Sequence, residues 1–252
     1  VSSSGSNIGR RLRQGSSATA SFPPLREYAL CATGGLVLLA ALGPLILPQL
    51  PVSAWALSAL VYAGSAAVVG DFLRRTYPHA RLGLCNVVTL ARLVIVTALA
   101  AALFAGGAGA WTFVALAGVA LALDGVDGWL ARRHGLVSSF GARFDMETDA
   151  ALALVLALHA LAVGAAGPVV LVLGVMRYAF VAAAAVLPWL NAPLPERFSR
   201  KAVCVVQIAA LIVIQVPGMP AAFTSGLVAV AAAALVWSFA VDIVHLWRGR
   251  TG

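Results

Sequence analysis

Long apolar runs, punctuated by proline and glycine, constrain this chain more than any other feature. They lie at about 29–47, 53–71, 86–105, 111–130, 146–166, 168–188, 202–216 and 221–247. The hydrocarbon core of a bilayer takes about 20 apolar residues of helix, and most of these runs have that length. The dips between them carry Pro48, Pro51, Pro78, Gly106, Gly107, Gly167, Pro168, Pro193, Pro195, Pro217 and Pro220. Ala, Leu and Val dominate the runs without period-two alternation, which favours helices over barrel strands. Only 10% of residues are charged, where a soluble domain carries about 25%, so a water-exposed surface cannot be coated. The expected fold is an all-α polytopic membrane helix bundle of about eight spans.

The basic residues set the orientation. Arg10, Arg11, Arg13 and Arg26 precede the first run, and Arg74, Arg75 and Arg81 follow the second. Arg132, Arg133 and Arg143 follow the fourth, Arg197, Arg200 and Lys201 the sixth, and Arg248 and Arg250 the eighth. The alternate loops near 48–52, 106–110, 167 and 217–220 contain no Lys or Arg. The positive-inside rule then places both ends and the basic loops in the cytoplasm. The expected location is a bacterial inner (cytoplasmic) membrane, and a net charge of +8 reads as topology, not as a nucleic-acid surface. Cys31, Cys85 and Cys204 have neither disulfide nor zinc spacing.

Along the chain, residues 1–25 are rich in Ser, Gly and Arg without an acid, which reads as a disordered cytoplasmic tail; transit peptides share that composition. Residues 26–71 form a transmembrane hairpin, and 72–85 mix Arg with Phe, Leu and Tyr as an interfacial segment or an ordinary basic loop. Residues 86–247 hold the remaining six runs.

Chemistry enters where charge enters the membrane. Of nine acidic residues, five fall within 124–149. Asp124 and Asp127 are three apart at the end of the fourth run; Asp145 and Asp149 are four apart where the fifth begins. Residues at i,i+3 and i,i+4 share a helix face, so each helix can aim two carboxylates at its neighbour, while Glu147 points elsewhere. A carboxylate at the centre of a membrane helix is disfavoured by about 2.5–3.5 kcal/mol, and four together repel. Arg132 and Arg143 can neutralise part of that charge. Either divalent metal, whose hard ions take carboxylate oxygens, or a salt-bridged interhelical network satisfies the rest. Two ions about 3.5–4 Å apart suit four carboxylates on facing helices.

The stretch Asp124-x-x-Asp127-Gly128-x-x-Ala131-Arg132, eight residues, Gly141-x-x-x-Asp145-x-x-x-Asp149 resembles the CDP-alcohol phosphotransferase motif at every specified position. Asn86, Thr89 and Arg92 stand at the spacing with which that family often opens its first core helix. The resemblance implies a metal-dependent transfer of a phosphatidyl group from CDP-diacylglycerol to a small hydroxyl acceptor, releasing CMP. It implies two Mg²⁺ or Mn²⁺ ions on Asp124, Asp127 and Asp145, with Asp149 sharing one and serving as general base. Gly128, Ala131, Arg132 and Gly141, with Asn86 and Thr89 nearby, would form the CDP site. It also implies a homodimer, and small residues such as Ala150, Ala151 and Ala153 permit close helix contact.

The acceptor is less legible. Arg177 lies about ten residues into the sixth run, where a lone cation is costly and should face a cavity or an acid. With Arg197, Arg200 and Lys201 it could form an anion pocket for an acceptor such as glycerol phosphate or inositol phosphate; positive-inside topology also accounts for residues 197–201, and with no acceptor-specific motif in the sequence inositol, serine and choline stay open as well. Two rival readings stay open. One reverses the donor, a CDP-choline or CDP-ethanolamine enzyme acting on diacylglycerol. The other is a cation transporter, which would spread acids through the membrane depth instead of clustering them at one face.

Overall fold

The computed structural model describes residues 23–107, 109–192, 194 and 197–249. The expected tail lies outside these residues up to position 22, as do Arg10, Arg11, Arg13 and Arg250 of the orientation argument. The described residues form helices without a strand: α1 Pro23–Ile46, α2 Val52–Thr76, α3 Gly83–Phe104, α4 Ala110–His134, α5 Ser139–Ala162, α6 Val170–Val186, α7 Phe198–Val213 and α8 Ala221–Gly249, with a 3-10 turn at Pro188–Asn191.

Among the described residues, five helices (α1, α2, α3, α4 and α8) are long and apolar enough to cross a membrane, which makes this an integral membrane protein. Helix α5 has the length, but its first turns hold Arg143, Asp145, Glu147 and Asp149. Helices α6 and α7 have 17 and 16 residues, short for an untilted crossing of about 30 Å at 1.5 Å per residue. Their shortness coincides with the polar site described below.

Helix α3 is the most enclosed of the five and packs against α1, α2, α4 and α5. Its core face carries Leu90, Leu93, Val96, Leu99 and the run Ala100–Ala102, all buried. Side-chain hydroxyls tie the N-terminal hairpin together, because hydrocarbon offers no water to satisfy them. Tyr28 donates to the Ala66 carbonyl at 2.7 Å and Tyr62 to that of Ala32 at 3.1 Å. Ser58 of α2 donates to the Thr97 carbonyl of α3.

Residues 72–85, read from sequence as one interfacial segment or loop, are divided. Phe72–Thr76 continue α2, residues 77–82 link, and α3 begins at Gly83. The linker turns sharply because Gly83 has φ +76°, with Leu136 packed where a Cβ would stand. Helix α4 likewise ends on Gly135 in the left-handed region, φ 65°, the conformation glycine adopts without penalty at a helix C-terminus. Ser138 then caps α5, its hydroxyl accepting from the Gly141 amide at 3.1 Å. This tight α4–α5 connection brings the two halves of the carboxylate motif face to face.

Candidate active site

The last turns of α4 carry Asp124 and Asp127, and the first turns of α5 carry Asp145 and Asp149. The helical spacing predicted from sequence does place both pairs on facing surfaces. The structure differs in what neutralises them. Arg92, from the third turn of α3, has a fully buried guanidinium and meets all four carboxylates. Its Nη1 lies 3.1 Å from Asp124 Oδ1 and 3.0 Å from Asp127 Oδ2 and also contacts Asp145, while Nη2 donates to Asp149.

Neither arginine expected to neutralise the aspartates forms an ion pair with them. Arg143 lies over the Phe72 ring, 5.3 Å from its centroid. Arg132 folds back over Gly128, its Nη1 3.4 Å from where a Cβ would stand. Long side chains at a helix end escape toward the polar boundary, whereas Arg92 is fixed in the packed interior between α4 and α5. Its place in the Asn-x-x-Thr-x-x-Arg spacing was the available signal.

The remaining donors follow the same logic. Thr89, one turn before Arg92, directs its hydroxyl at Asp127 Oδ2, 3.0 Å away. Asn86 is buried, and its amide nitrogen donates to the Tyr77 hydroxyl at 3.1 Å and to the Leu82 carbonyl. Its Oδ1 faces Gly141, 3.4 Å from where a Cβ would stand. Gly128 and Ala131 are half-buried and Arg132 is exposed at the end of α4. The motif residues therefore converge on one end of the α3–α4–α5 bundle.

Oxygens of Asp124, Asp127 and Asp145 lie within 4.8 Å of one another. A hard divalent ion binds oxygen at about 2.0–2.6 Å, so the three oxygens lie close enough together to share one ion, in competition with Arg92 Nη1, which contacts the same three carboxylates. Four carboxylates against one guanidinium also leave an excess of negative charge. The donor set therefore fits divalent metal, with Arg92 as a resident counter-charge.

Beside the carboxylates lies a cavity of about 370 Å³ between α5, α6, α7 and α8. Its wall includes Asp149, Arg177, Arg200, Cys204, Gln207 and Asp242, with Met176, Phe180 and Phe239 as an apolar floor. Of the four basic residues grouped from sequence, Arg177 and Arg200 form part of this wall; Arg197 and Lys201 do not. Arg177 pairs with Glu147 at 2.6 Å, which explains why Glu147 turns away from the other α5 acids. Arg197 and Arg200 converge on Asp242 of α8, at 3.0 and 3.4 Å. Asp242 was not singled out from sequence, because nothing in linear spacing connects α8 to the start of α7. Ala150 and Ala153 are buried within the bundle and line the cavity, so they are spent on intrachain packing.

A family model described as CDP-alcohol phosphatidyltransferase matches residues 82–243, well over half of the chain. No curated protein and no solved structure matches it. The matched segment runs from the start of α3 into α8 and leaves the α1–α2 hairpin outside.

Proposed function

Because the chain belongs to the CDP-alcohol phosphatidyltransferase family, we propose that it transfers a phosphatidyl group from CDP-diacylglycerol to a small hydroxyl acceptor and releases CMP. One observation carries this reading: four aspartates from α4 and α5 converge on Arg92, with Asp149 also forming part of a cavity wall beside them.

Asp124, Asp127 and Asp145 would hold two divalent ions, Mg²⁺ or Mn²⁺, with Asp149 sharing one; when bound they neutralise the diphosphate and the charge that develops on departing CMP. Thr89 holds the Asp127 carboxylate in place through its hydroxyl. Gly128, Ala131, Arg132 and Gly141 shape the nucleotide side, with Asn86 beneath them. The acceptor enters the cavity, and Asp149 takes the proton from its hydroxyl. The acceptor oxygen forms the new bond to the phosphorus bearing the lipid, and the bond from that phosphorus to the CMP oxygen breaks. Arg177 and Arg200 on the cavity wall favour an anionic acceptor, such as glycerol phosphate or inositol phosphate. The positive-inside pattern supports a cytoplasmic position for this end of the bundle, and a bacterial inner membrane is the proposed location. A homodimer is the working assembly, through surfaces other than Ala150 and Ala153.

The deciding experiment measures CMP release by purified protein given CDP-diacylglycerol, Mg²⁺ or Mn²⁺ and each acceptor in turn, with Asp149→Ala as control. Acceptor-dependent CMP that disappears in the control supports the reading and names the acceptor. CMP release only from CDP-choline or CDP-ethanolamine with diacylglycerol would replace it by the reversed-donor reaction.

A further inference from the structure

The α1–α2 hairpin lies outside the segment the family model matches, yet it is bonded to the turn from which Asn86 rises. The Glu27 carboxylate of α1 accepts the Leu82 amide N–H at 2.7 Å. From the other side, the Leu82 carbonyl accepts from the Asn86 amide and from the Tyr77 hydroxyl, the latter at 2.7 Å. Leu82 is thus held through both of its backbone polar groups, immediately before the constrained Gly83.

This network also fixes which way Asn86 faces. A carbonyl can only accept, so the Leu82 oxygen requires the amide nitrogen of Asn86, not its oxygen. The Tyr77 hydroxyl gives its proton to the Leu82 and Arg81 carbonyls and offers its lone pair to the same amide. Both Asn86 N–H groups are consumed, and Oδ1 is left as a pure acceptor turned toward Gly141. Tyr77 is anchored in turn by an edge-on contact with Phe140 at the start of α5, 5.3 Å between centroids.

We propose that Glu27 and Tyr77, both outside the family-matched segment, are positioning residues for the nucleotide site: they hold the 77–86 turn so that Asn86 presents only its carbonyl oxygen to the CDP group. The inference rests on the reading that this end of the bundle binds a cytidine nucleotide. It gives the hairpin a role that membrane anchoring alone does not supply.

The test measures equilibrium binding of CDP to the full chain in detergent, with Mn²⁺ present, alongside KM and kcat for the CDP donor. Glu27→Ala leaves the Leu82 amide without its acceptor and loosens the turn that orients Asn86, so it is expected to weaken CDP binding and raise donor KM roughly tenfold, with kcat held. Glu27→Gln keeps an acceptor oxygen and should bind CDP as the parent does. Tyr77→Phe, which preserves the ring packing, should weaken binding in the same direction and carries the test if Glu27→Ala does not fold. In an Asn86→Ala background neither change should add further loss. Parent-like CDP binding in folded Glu27→Ala and Tyr77→Phe would overturn the positioning role alone, as would a fall in kcat and thermal stability at unchanged KM. Absence of CDP binding by the parent protein would overturn the nucleotide reading and this inference with it.

Discussion

Arg92 of α3 and Asp149 of α5 are directly hydrogen-bonded, although they stand 57 positions apart in sequence. The same guanidinium reaches Asp124, Asp127 and Asp145. Removing one partner of a buried ion pair typically destabilises by about 3–5 kcal/mol, because the other is left uncompensated. Arg92→Met should therefore lower the stability of metal-free protein by about that much, and Mn²⁺ should restore more stability to the variant than to the parent. Thermal unfolding in detergent, with chelator and with Mn²⁺, reads both effects; equal Mn²⁺ stabilisation of the two proteins would contradict the counter-charge role.

Asp124→Asn and Asp145→Asn remove charge at nearly constant volume from two of the three carboxylates whose oxygens cluster within 4.8 Å. Each should reduce metal-dependent turnover by about a hundredfold or more, the scale of losing one preorganised electrostatic group. Far-UV circular dichroism should stay unchanged. Normal CMP release by either variant would remove the metal assignment.

Thr89 supports Asp127 through a single hydroxyl bond of 3.0 Å. Thr89→Val keeps the shape and deletes that donor. Loss of such a supporting partner typically weakens metal affinity 10–100-fold, so the Mn²⁺ concentration for half-maximal activity should rise about tenfold, with activity recovered at saturating metal. An unchanged Mn²⁺ titration would show that Asp127 needs no such support.

Arg177 stands on the cavity wall and pairs with Glu147. Arg177→Ala is expected to raise KM for an anionic acceptor by roughly tenfold or more, while donor KM stays near the parent value. A rise in donor KM instead would assign Arg177 to the lipid nucleotide.

Gly174 of α6 lies against α5 so closely that a Cβ would stand 2.8 Å from the Ala157 Cβ and 3.1 Å from the Leu154 Cα. Backbone cannot swing aside as a flexible side chain can, so Gly174→Val should destabilise the bundle by about 1–3 kcal/mol, the usual range for overpacking. Thermal unfolding should show it, and an unchanged midpoint would mean that α5 and α6 separate easily.

Several features follow from sequence alone because their causes are local. Apolar length forces helices, since only a helix satisfies its own backbone in hydrocarbon, and Pro or Gly near the breaks ends each one. Spacings of three and four put Asp124 with Asp127, and Asp145 with Asp149, on shared faces. Gly135 and Ser138 are ordinary stop and start signals, so the turn that opposes the two pairs was also within reach of sequence. The tertiary structure decided which faces meet. Arg92, and not Arg132 or Arg143, neutralises the aspartates because α3 is enclosed between the helices that carry them, and a buried cation must sit where opposite charge is densest. Glu147 finds Arg177, Asp242 finds Arg197 and Arg200, and Glu27 finds the Leu82 amide for the same reason. Each pairing depends on the lateral order of helices, which packing sets and no spacing along one helix encodes.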